Sequence, residues 1–168
     1  VLSECKARNE ARVAFSVAFE MFDAELQQII GSVNSIEAYE ATRTEIELAL
    51  ALSPDQPFFL NNRGFVRLQQ GKVEEGLRDI NTSIMLDPNN GWAYRNKGVY
   101  YLLNKQYDLA LSSFQRALSM DSFIDKIHFY LGSAYFQLGQ RQKGCQEFTL
   151  SDKAGDNMTT AEMIKACR

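Results

Sequence analysis

The chain has 168 residues, a length that fits one domain, and 45% of them are hydrophobic, which is enough for a buried core. Its 18 Lys and Arg against 21 Asp and Glu give a formal net charge of −3 without a basic cluster, which argues against a nucleic-acid partner. No run of 18 apolar residues is present, so the sequence predicts no transmembrane helix.

The N-terminal segment begins with the letters VLSEC and carries the first of three cysteines. Leu2 precedes Cys5 by three residues, a spacing that resembles the lipobox at which bacterial lipoproteins are cleaved and lipidated. Glu4 departs from that pattern, because the residue before the lipidated cysteine is normally small. Cys5 is therefore a candidate for lipidation and membrane anchoring, and the alternative is an ordinary exposed thiol near an N-terminus.

A long amphipathic helix is predicted next, because large apolar side chains recur at helical spacing on one face. These side chains are Phe15, Phe19, Phe22, Leu26 and Ile29. Gly31 is placed to end that helix. Asn34 and Glu37 have the spacing of a capping box, so a second helix is predicted over residues 35–53. Residues 1–56 would then form an N-terminal helix pair.

A fixed period governs the following part of the chain. Gly64, Gly98 and Gly132 lie 34 residues apart, in the contexts LNNRGFVR, YRNKGVYY and HFYLGSAY. Such a period is typical of a solenoid of helix–turn–helix repeats. A small residue at the same place in each repeat lets its two helices cross closely. Repeats are therefore predicted at 57–90, 91–124 and 125–158.

Residues 57–158 resemble three tetratricopeptide repeats. The family patterns W-x2-L-G-x2-Y and A-x3-F are followed best in the middle repeat, by Tyr94, Gly98, Tyr101, Ala110 and Phe114. The first repeat departs at Arg63 and Arg67, and the closing Pro88 is replaced by Ser122 and Asp156 in the later repeats. The resemblance implies an all-α fold, a right-handed α-solenoid of antiparallel helix pairs with about nine helices. Residues 1–56 then look like a degenerate earlier repeat.

Two segments are assigned with the help of the repeat register. Residues 99–103, VYYLL, have a strand-like composition, but the register places them in a helix. Thr159 and Glu162 have capping-box spacing, and Met163 and Ile164 follow with a short apolar side. Because repeat arrays need a terminal cap, residues 159–168 are predicted to form a capping helix.

The resemblance also implies where a partner binds. In this family the first helix of each repeat, predicted here at 58–70, 92–104 and 126–138, lines a concave groove. Asn62 and Asn96 recur there, and an amide can pair with both the N–H and the C=O of an extended peptide. The predicted groove residues are Phe58, Asn61, Asn62, Phe65, Trp92, Arg95, Asn96, Val99, Lys126 and Phe129. The predicted function is a non-enzymatic protein–protein interaction module, an adaptor or scaffold that binds a peptide or protein segment.

Several alternatives stay open beside that function. The aromatic groove residues form an exposed patch or are covered by the Phe-rich N-terminal helix. The clamp for acidic chaperone tails is matched only at Asn96 and Lys126, so we do not predict binding of those tails. The alternative function is a structural or lipid-anchored subunit of a bacterial envelope assembly, which binds through its N-terminal helix or convex face. Self-association through the Phe-rich helix leaves the oligomeric state open.

Catalytic and metal-binding residues are not evident in the sequence. The single histidine, His128, falls at a helix-packing position and is interpreted as a structural, partly buried residue. Three scattered cysteines do not provide the paired ligands of a zinc site. Nucleotide-binding and nucleophile motifs are absent from the sequence. We therefore expect no enzymatic activity, no cofactor and no small-molecule substrate.

The C-terminal residues from Gly144 to Cys167 resemble the ending of small bacterial envelope proteins that carry these repeats. That resemblance places Cys145 and Cys167 on facing elements, where they could form a disulfide in an oxidising compartment. The alternative is two small buried thiols. The resemblance to bacterial envelope proteins also favours the bacterial periplasm or envelope over the cytoplasm.

Overall fold

The computed structural model describes residues 46–156, 158–160, 163–164 and 167. The chain divides into two compact units, Val1–Pro54 and Asp55–Arg168. In the first unit, residues 46–52 are helical (α1), with Ile46 and Leu50 buried. The predictions made for residues 1–45 lie outside the described residues, namely the Phe-rich helix, the capping box that follows it and the lipidation of Cys5.

The second unit is a series of helices joined by short turns. These are α2 (Pro57–Gln69), α3 (Val73–Leu86), α4 (Gly91–Leu103), α5 (Tyr107–Met120), α6 (Ile127–Gln137) and α7 (Arg141–Ala154). No strand occurs among the described residues, and residues 99–103 belong to α4, so the all-α prediction is confirmed. Seven helices are present in the described ranges. Half of the residues of the predicted capping helix at 159–168, and the whole of the first predicted helix, fall outside them.

Local sequence explains where several helices begin and end. Pro57 occupies the first turn of α2, where its missing N–H costs no hydrogen bond. Gly71 and Gly139 adopt positive φ angles of 76° and 73° in the turns after α2 and α6, a conformation that favours glycine. The helix α6 begins two residues later than the 34-residue period predicts, after Lys126 in a left-handed conformation.

Asn90 caps α4, since its Oδ1 accepts a hydrogen bond from the backbone N–H of Ala93 at 3.2 Å and its Nδ2 donates to Ser83 Oγ at 3.2 Å. We expect Asn90→Ala to lower the free energy of unfolding by about 1 kcal/mol, the usual value of an N-cap. Urea denaturation followed by circular dichroism measures this loss. Asn89→Ala, at the exposed neighbouring position, is the matched control, and equal values for both variants would contradict the capping role.

The period of 34 residues has its physical cause at the crossing of the two helices in each repeat. A Cβ atom on Gly64 would lie 2.8 Å from the backbone oxygen of Gly76, and one on Gly132 would lie 2.6 Å from Phe148 Cδ1. A Cβ atom on Gly98 would overlap the ring of Phe114. A larger residue would therefore push the paired helices apart, as the repeat register predicts.

The helices that come first in each pair lie on the inner side of the array. Within the described second unit, α2 contacts α4 and α4 contacts α6, whereas α3 and α5 make no such contact with each other, nor do α5 and α7. Among these six described helices, α3 and α5 each contact only their own partner and the first helix of the next pair. Because α2, α4 and α6 approach one another more closely, they form the concave side.

Arg63 and Arg67, which depart from the repeat pattern of the family, both bind one carboxylate, that of Asp79. Arg63 Nε and Nη2 donate to Asp79 Oδ2 and Oδ1, both at 2.8 Å, and Arg67 Nη1 donates to Asp79 Oδ2 at 2.6 Å. Glu75 Oε2 lies 3.7 Å from Arg67 Nε. Both arginines belong to α2 and Asp79 belongs to α3, so this charged cluster joins the helices of the first repeat in addition to their apolar contact.

We expect Asp79→Ala to lower the free energy of unfolding by about 2 kcal/mol, because it leaves two guanidinium groups without their shared acceptor. The expected loss is smaller than for a fully buried ion pair, because the arginine side chains are 23% exposed and solvent screens their charges. Urea denaturation of Asp79→Ala and of Asp152→Ala, an exposed aspartate on α7, makes the comparison. A loss no larger for Asp79→Ala than for Asp152→Ala would show that the cluster does not stabilise the repeat.

Candidate protein-binding face

The ten predicted groove residues all belong to the three helices of the concave side or directly precede one of them. Four belong to α2, four to α4, Phe129 belongs to α6, and Lys126 precedes α6 directly. We call this side of α2, α4 and α6 the inner face. Phe58, Trp92, Lys126 and Phe129 are half-buried, and the other six are buried. The inner face is thus less open than the exposed aromatic patch expected from the register, since Phe65 keeps only 8% of its surface.

A chain of polar contacts crosses the inner face from α2 to the start of α6. Asn61 Nδ2 donates to Asn62 Oδ1 at 3.3 Å, and Asn96 Nδ2 donates to Asn61 Oδ1 at 2.8 Å. Arg95 Nε donates to Asn96 Oδ1 at 3.0 Å, and Arg95 Nη1 donates to the backbone oxygen of Asp125 at 3.2 Å. We call these five residues the polar chain. Its bonds hold the inner-face helices of the three repeats in one register.

Arg95 is the buried charge at the centre of the polar chain, with 4% of its surface exposed. Its guanidinium carbon lies 4.9 Å from the ring centre of Trp92, 5.3 Å from that of Phe65 and 6.0 Å from that of Tyr130. Burial lowers the pKa of Arg95, and the nearby Tyr130 and Asp125 oppose that shift. The aromatic faces partly replace the water that a guanidinium loses on burial.

The two ends of the polar chain carry buried polar atoms with unused hydrogen-bonding capacity. Among the described residues, Asn62 Nδ2 and Asp125 Oδ2 have no hydrogen-bond partner. Lys126 Nζ forms an ion pair with Asp125 Oδ2 at 3.8 Å, a distance too long for a hydrogen bond. Burial lowers the pKa of Lys126, an effect that Asp125 opposes. One end of the polar chain therefore offers a donor and the other an acceptor.

Sequence reasoning missed parts of this arrangement. The side-chain amide of Asn96 donates its hydrogen bond to Asn61, and not to Asn62, which lies at the 34-residue spacing. Tyr130, which replaces asparagine in the third repeat, stacks on Phe114 with ring centres 5.5 Å apart. The repeat period indicates its position but not its partner. Asp125 lies in a turn, where no periodic signal exists, so nothing in the sequence pointed to its contact with Arg95.

His128 lies on α6 and faces Glu147 on α7, apart from the polar chain. Its Nδ1 is 2.7 Å from Glu147 Oε2, and its side chain is 23% exposed. This is the partly buried packing position expected from the register. The described residues contain no group of three or more His, Cys, Asp and Glu side chains that could hold a metal ion.

Cys145 and Cys167 form a disulfide bond in the structure. The sulfur atoms of Cys145 and Cys167 are joined at 2.01 Å, with their Cα atoms 5.4 Å apart. Cys145 lies on α7, so the bond attaches the C-terminal segment to the last helix. Thr159 in that segment also lies 2.5 Å from Ser151 on α7, oxygen to oxygen.

The described helices include none that is long and apolar enough to cross a membrane.

Comparison with known sequences identifies the repeats. The tetratricopeptide repeat family matches residues 80–112. Human Tetratricopeptide repeat protein 13 is 24% identical over 116 residues, 69% of this chain and 13% of that protein. Hsp70-Hsp90 organizing protein 2 of Arabidopsis thaliana is 33% identical over 73 residues, 44% of this chain and 13% of that protein. The Lipoprotein NlpI homolog of Haemophilus influenzae is 30% identical over 70 residues, 42% of this chain and 22% of that protein. The matched regions thus cover less than a quarter of each relative.

Comparison with solved structures shows the same fold. The crystal structure of MamA superposes with a TM-score of 0.62 at 16% identity and covers 78% of this chain and 77% of MamA. The first TPR of Spaghetti (RPAP3), bound to an HSP90 peptide, superposes with a TM-score of 0.59 at 20% identity and covers 67% of this chain and 90% of that structure. The helix pairs, their glycine crossings and these matches agree: the second unit has the α-solenoid fold of these tetratricopeptide repeat structures, and residues 80–112 match the model of that repeat family.

Proposed function

We propose that this chain is a non-enzymatic interaction module, an adaptor or scaffold that holds an extended protein segment along the inner face. The observation that carries the proposal is the polar chain with its unused donor at Asn62 and its unused acceptor at Asp125. An extended backbone presents carbonyl acceptors and N–H donors, so one segment can satisfy both ends of the polar chain.

The half-buried rings beside the polar chain supply the apolar part of the site. Trp92 and Phe58 are partly exposed on α4 and α2, and Phe129 is partly exposed on α6. Aromatic residues beside a buried arginine are typical of the residues that contribute most to binding free energy. The bound segment should therefore carry apolar side chains that contact these rings. No cofactor, small-molecule substrate or nucleic acid enters this proposal.

Two comparisons support a peptide as the ligand. Hsp70-Hsp90 organizing protein 2 is named for two chaperones, and the repeats of RPAP3 were solved with an HSP90 peptide. The inner face here differs from a site built for acidic tails, because two N–H groups of its central cation, Arg95, donate within the protein. We propose a segment recognised through its backbone and apolar side chains.

Access to the polar chain sets the expected kinetics. Asn62 Nδ2 and Asp125 Oδ2 are shielded from solvent, which strengthens a hydrogen bond made there. A ligand must open the inner face to reach them. Association should accordingly be slower than about 10⁵ M⁻¹s⁻¹, the lower end for preformed protein surfaces.

The test begins with peptides selected from a random display library on the full chain, whose affinities are then measured by calorimetry. Asn62→Ala should weaken binding about tenfold, the value of one buried hydrogen bond. Asn104→Ala, at an exposed asparagine after α4, is the matched control and should bind as the wild type does. Selection of no peptide, or equal affinities for wild type and Asn62→Ala, would refute the inner face as the binding site.

A second candidate function is a structural subunit of a bacterial envelope assembly, lipid-anchored at Cys5. The match to the Lipoprotein NlpI homolog favours it, and a disulfide suits an oxidising compartment such as the periplasm. In that case the outer helices should carry the binding. Leu109 on α5 and Leu150 on α7 are 49% and 43% exposed, and glutamate at both positions should abolish assembly without affecting peptide binding. Labelling of wild type and Cys5→Ser with a clickable fatty acid in a bacterial host tests the anchor, and equal labelling would exclude it.

A further inference from the structure

An open cavity of about 710 Å³ lies at the C-terminal end of the repeat unit. One face of α7 forms part of its wall with Arg141, Gln142, Gln146 and Thr149. Both cysteines of the disulfide and Ile164 complete the described lining. This cavity is separate from the inner face, since none of the lining residues that the structure describes belongs to α2, α4 or α6.

The disulfide itself is accessible from this cavity. Cys145 and Cys167 are both half-buried, unlike the fully buried cysteines of a structural core. Arg141 is the one charged residue in the described lining. A cation near a disulfide attracts an anionic nucleophile and stabilises the thiolate that leaves.

The C-terminal segment has few other attachments to α7 in the described residues. Ser151 Oγ contacts Thr159 Oγ1 and also donates to Asp156 Oδ2 at 2.7 Å. These contacts hold the beginning of the segment. Near its end, Cys167 reaches α7 through the disulfide. Cleavage of the disulfide would therefore remove the covalent bond between Cys167 and α7 and leave the six repeat helices in place.

We propose that the bond between Cys145 and Cys167 is a thiol–disulfide exchange site that reacts in the folded protein. An incoming thiolate attacks one sulfur, the S–S bond breaks, and the other cysteine leaves as a thiolate that takes a proton from water. A second thiol then attacks the mixed disulfide, which releases the first cysteine and yields the oxidised thiol reagent. The two electrons that reduce the protein come from these two thiols. The co-reactant is a thiol, either a small acidic one or the dithiol of a redox protein.

The experiment uses the full chain in a Cys5→Ser background, so that only the disulfide reports. Reduced glutathione represents the small acidic thiol, and dithiothreitol, a neutral dithiol, represents the other source. N-ethylmaleimide labelling and intact mass count the free thiols over time, and circular dichroism follows the helices. Cleavage by trypsin at the exposed Lys153, in the last turn of α7, reports loosening of the helix end to which the segment is attached.

We expect both thiols to appear in native buffer within about tenfold of the rate for the urea-unfolded chain, with an unchanged helical signal and faster cleavage at Lys153. The double variant Cys145→Ala, Cys167→Ala should show the same fast cleavage without any reductant. If a small acidic thiol is the natural co-reactant, Arg141→Gln should slow reduction of the disulfide by glutathione and leave the rate with dithiothreitol unchanged. Equal rates for Arg141→Gln and wild type with glutathione would instead favour a protein dithiol.

Two results would overturn the exchange site. One is a native disulfide that reacts more than about a thousandfold slower than the unfolded chain, because reaction would then require global unfolding. The other is a protein purified under oxidising conditions in which Cys145 and Cys167 are free thiols. Neither result bears on peptide binding at the inner face, so this inference and the proposed function can fail separately.

Discussion

Arg95→Ala should lower the free energy of unfolding by about 3 kcal/mol, the largest loss that we expect from a single substitution in the polar chain. The truncation removes a buried side chain from between three aromatic rings and leaves a cavity. It also leaves Asn96 Oδ1 and the backbone oxygen of Asp125 without the donor that they share. Urea denaturation followed by circular dichroism measures the loss.

Two further variants separate the contribution of the charge of Arg95 from that of its side-chain volume. Arg95→Met keeps most of the volume and removes the buried charge, so the relief of desolvation offsets part of the lost hydrogen bonding and the loss should fall to about 1 kcal/mol. Arg78→Ala removes an exposed arginine from α3 and should change stability by less than about 0.5 kcal/mol. If Arg95→Ala cost no more than Arg78→Ala, the buried position of the guanidinium would be wrong.

Gly98→Ala should lower the free energy of unfolding by about 2 kcal/mol, although alanine is the better helix former. The added methyl group would overlap the ring of Phe114. That ring is fully buried and stacks on Tyr130 with a ring-plane angle of 14°, so it has no room to retreat. The helices α4 and α5 would have to separate. Urea denaturation measures the effect.

Gly91→Ala is the matched control for Gly98→Ala, because it adds the same methyl group at the start of the same helix. There the new atom would meet Ile124 Cδ1 at 2.7 Å, the far end of a flexible side chain. A small rotation relieves that overlap, and the loss should stay below about 1 kcal/mol. Equal losses for the two variants would contradict the crossing of α4 and α5 as the origin of the repeated glycine.

Much of the fold could be predicted because the repeat imposes one physical requirement three times. Gly64, Gly98 and Gly132 each sit where a Cβ would collide with the partner helix, so close helix crossing leaves a period in the sequence. The same period placed the VYYLL stretch in a helix against its local composition. The start of α6 does not follow the period. The left-handed conformation of Lys126 and the burial of Ile124 are local features that move the first helical residue to Ile127.

The candidate site was harder to predict, because its contacts join residues that the period does not relate. The sequence indicated which helices carry Asn96 and Arg95, but their partners depend on side-chain rotation. Asn96 bonds to Asn61 instead of Asn62. Arg95 finds its acceptor on the backbone of a turn, at Asp125, and any residue there would offer the same oxygen. Similarly, the carboxylate that binds Arg63 and Arg67 is found only in three dimensions.

The central claim is that a protein segment binds on the inner face of the repeats, and site-specific photo-crosslinking tests it most directly. The full chain would carry benzoylphenylalanine either at Trp92, on the inner face, or at Leu109, exposed on α5. Both proteins would be irradiated with a peptide selected on the wild type, and adducts would be mapped by mass spectrometry. We predict an adduct from position 92 that excess unlabelled peptide removes, and none from position 109. An adduct from position 109 alone would contradict the claim and place binding on the outer helices.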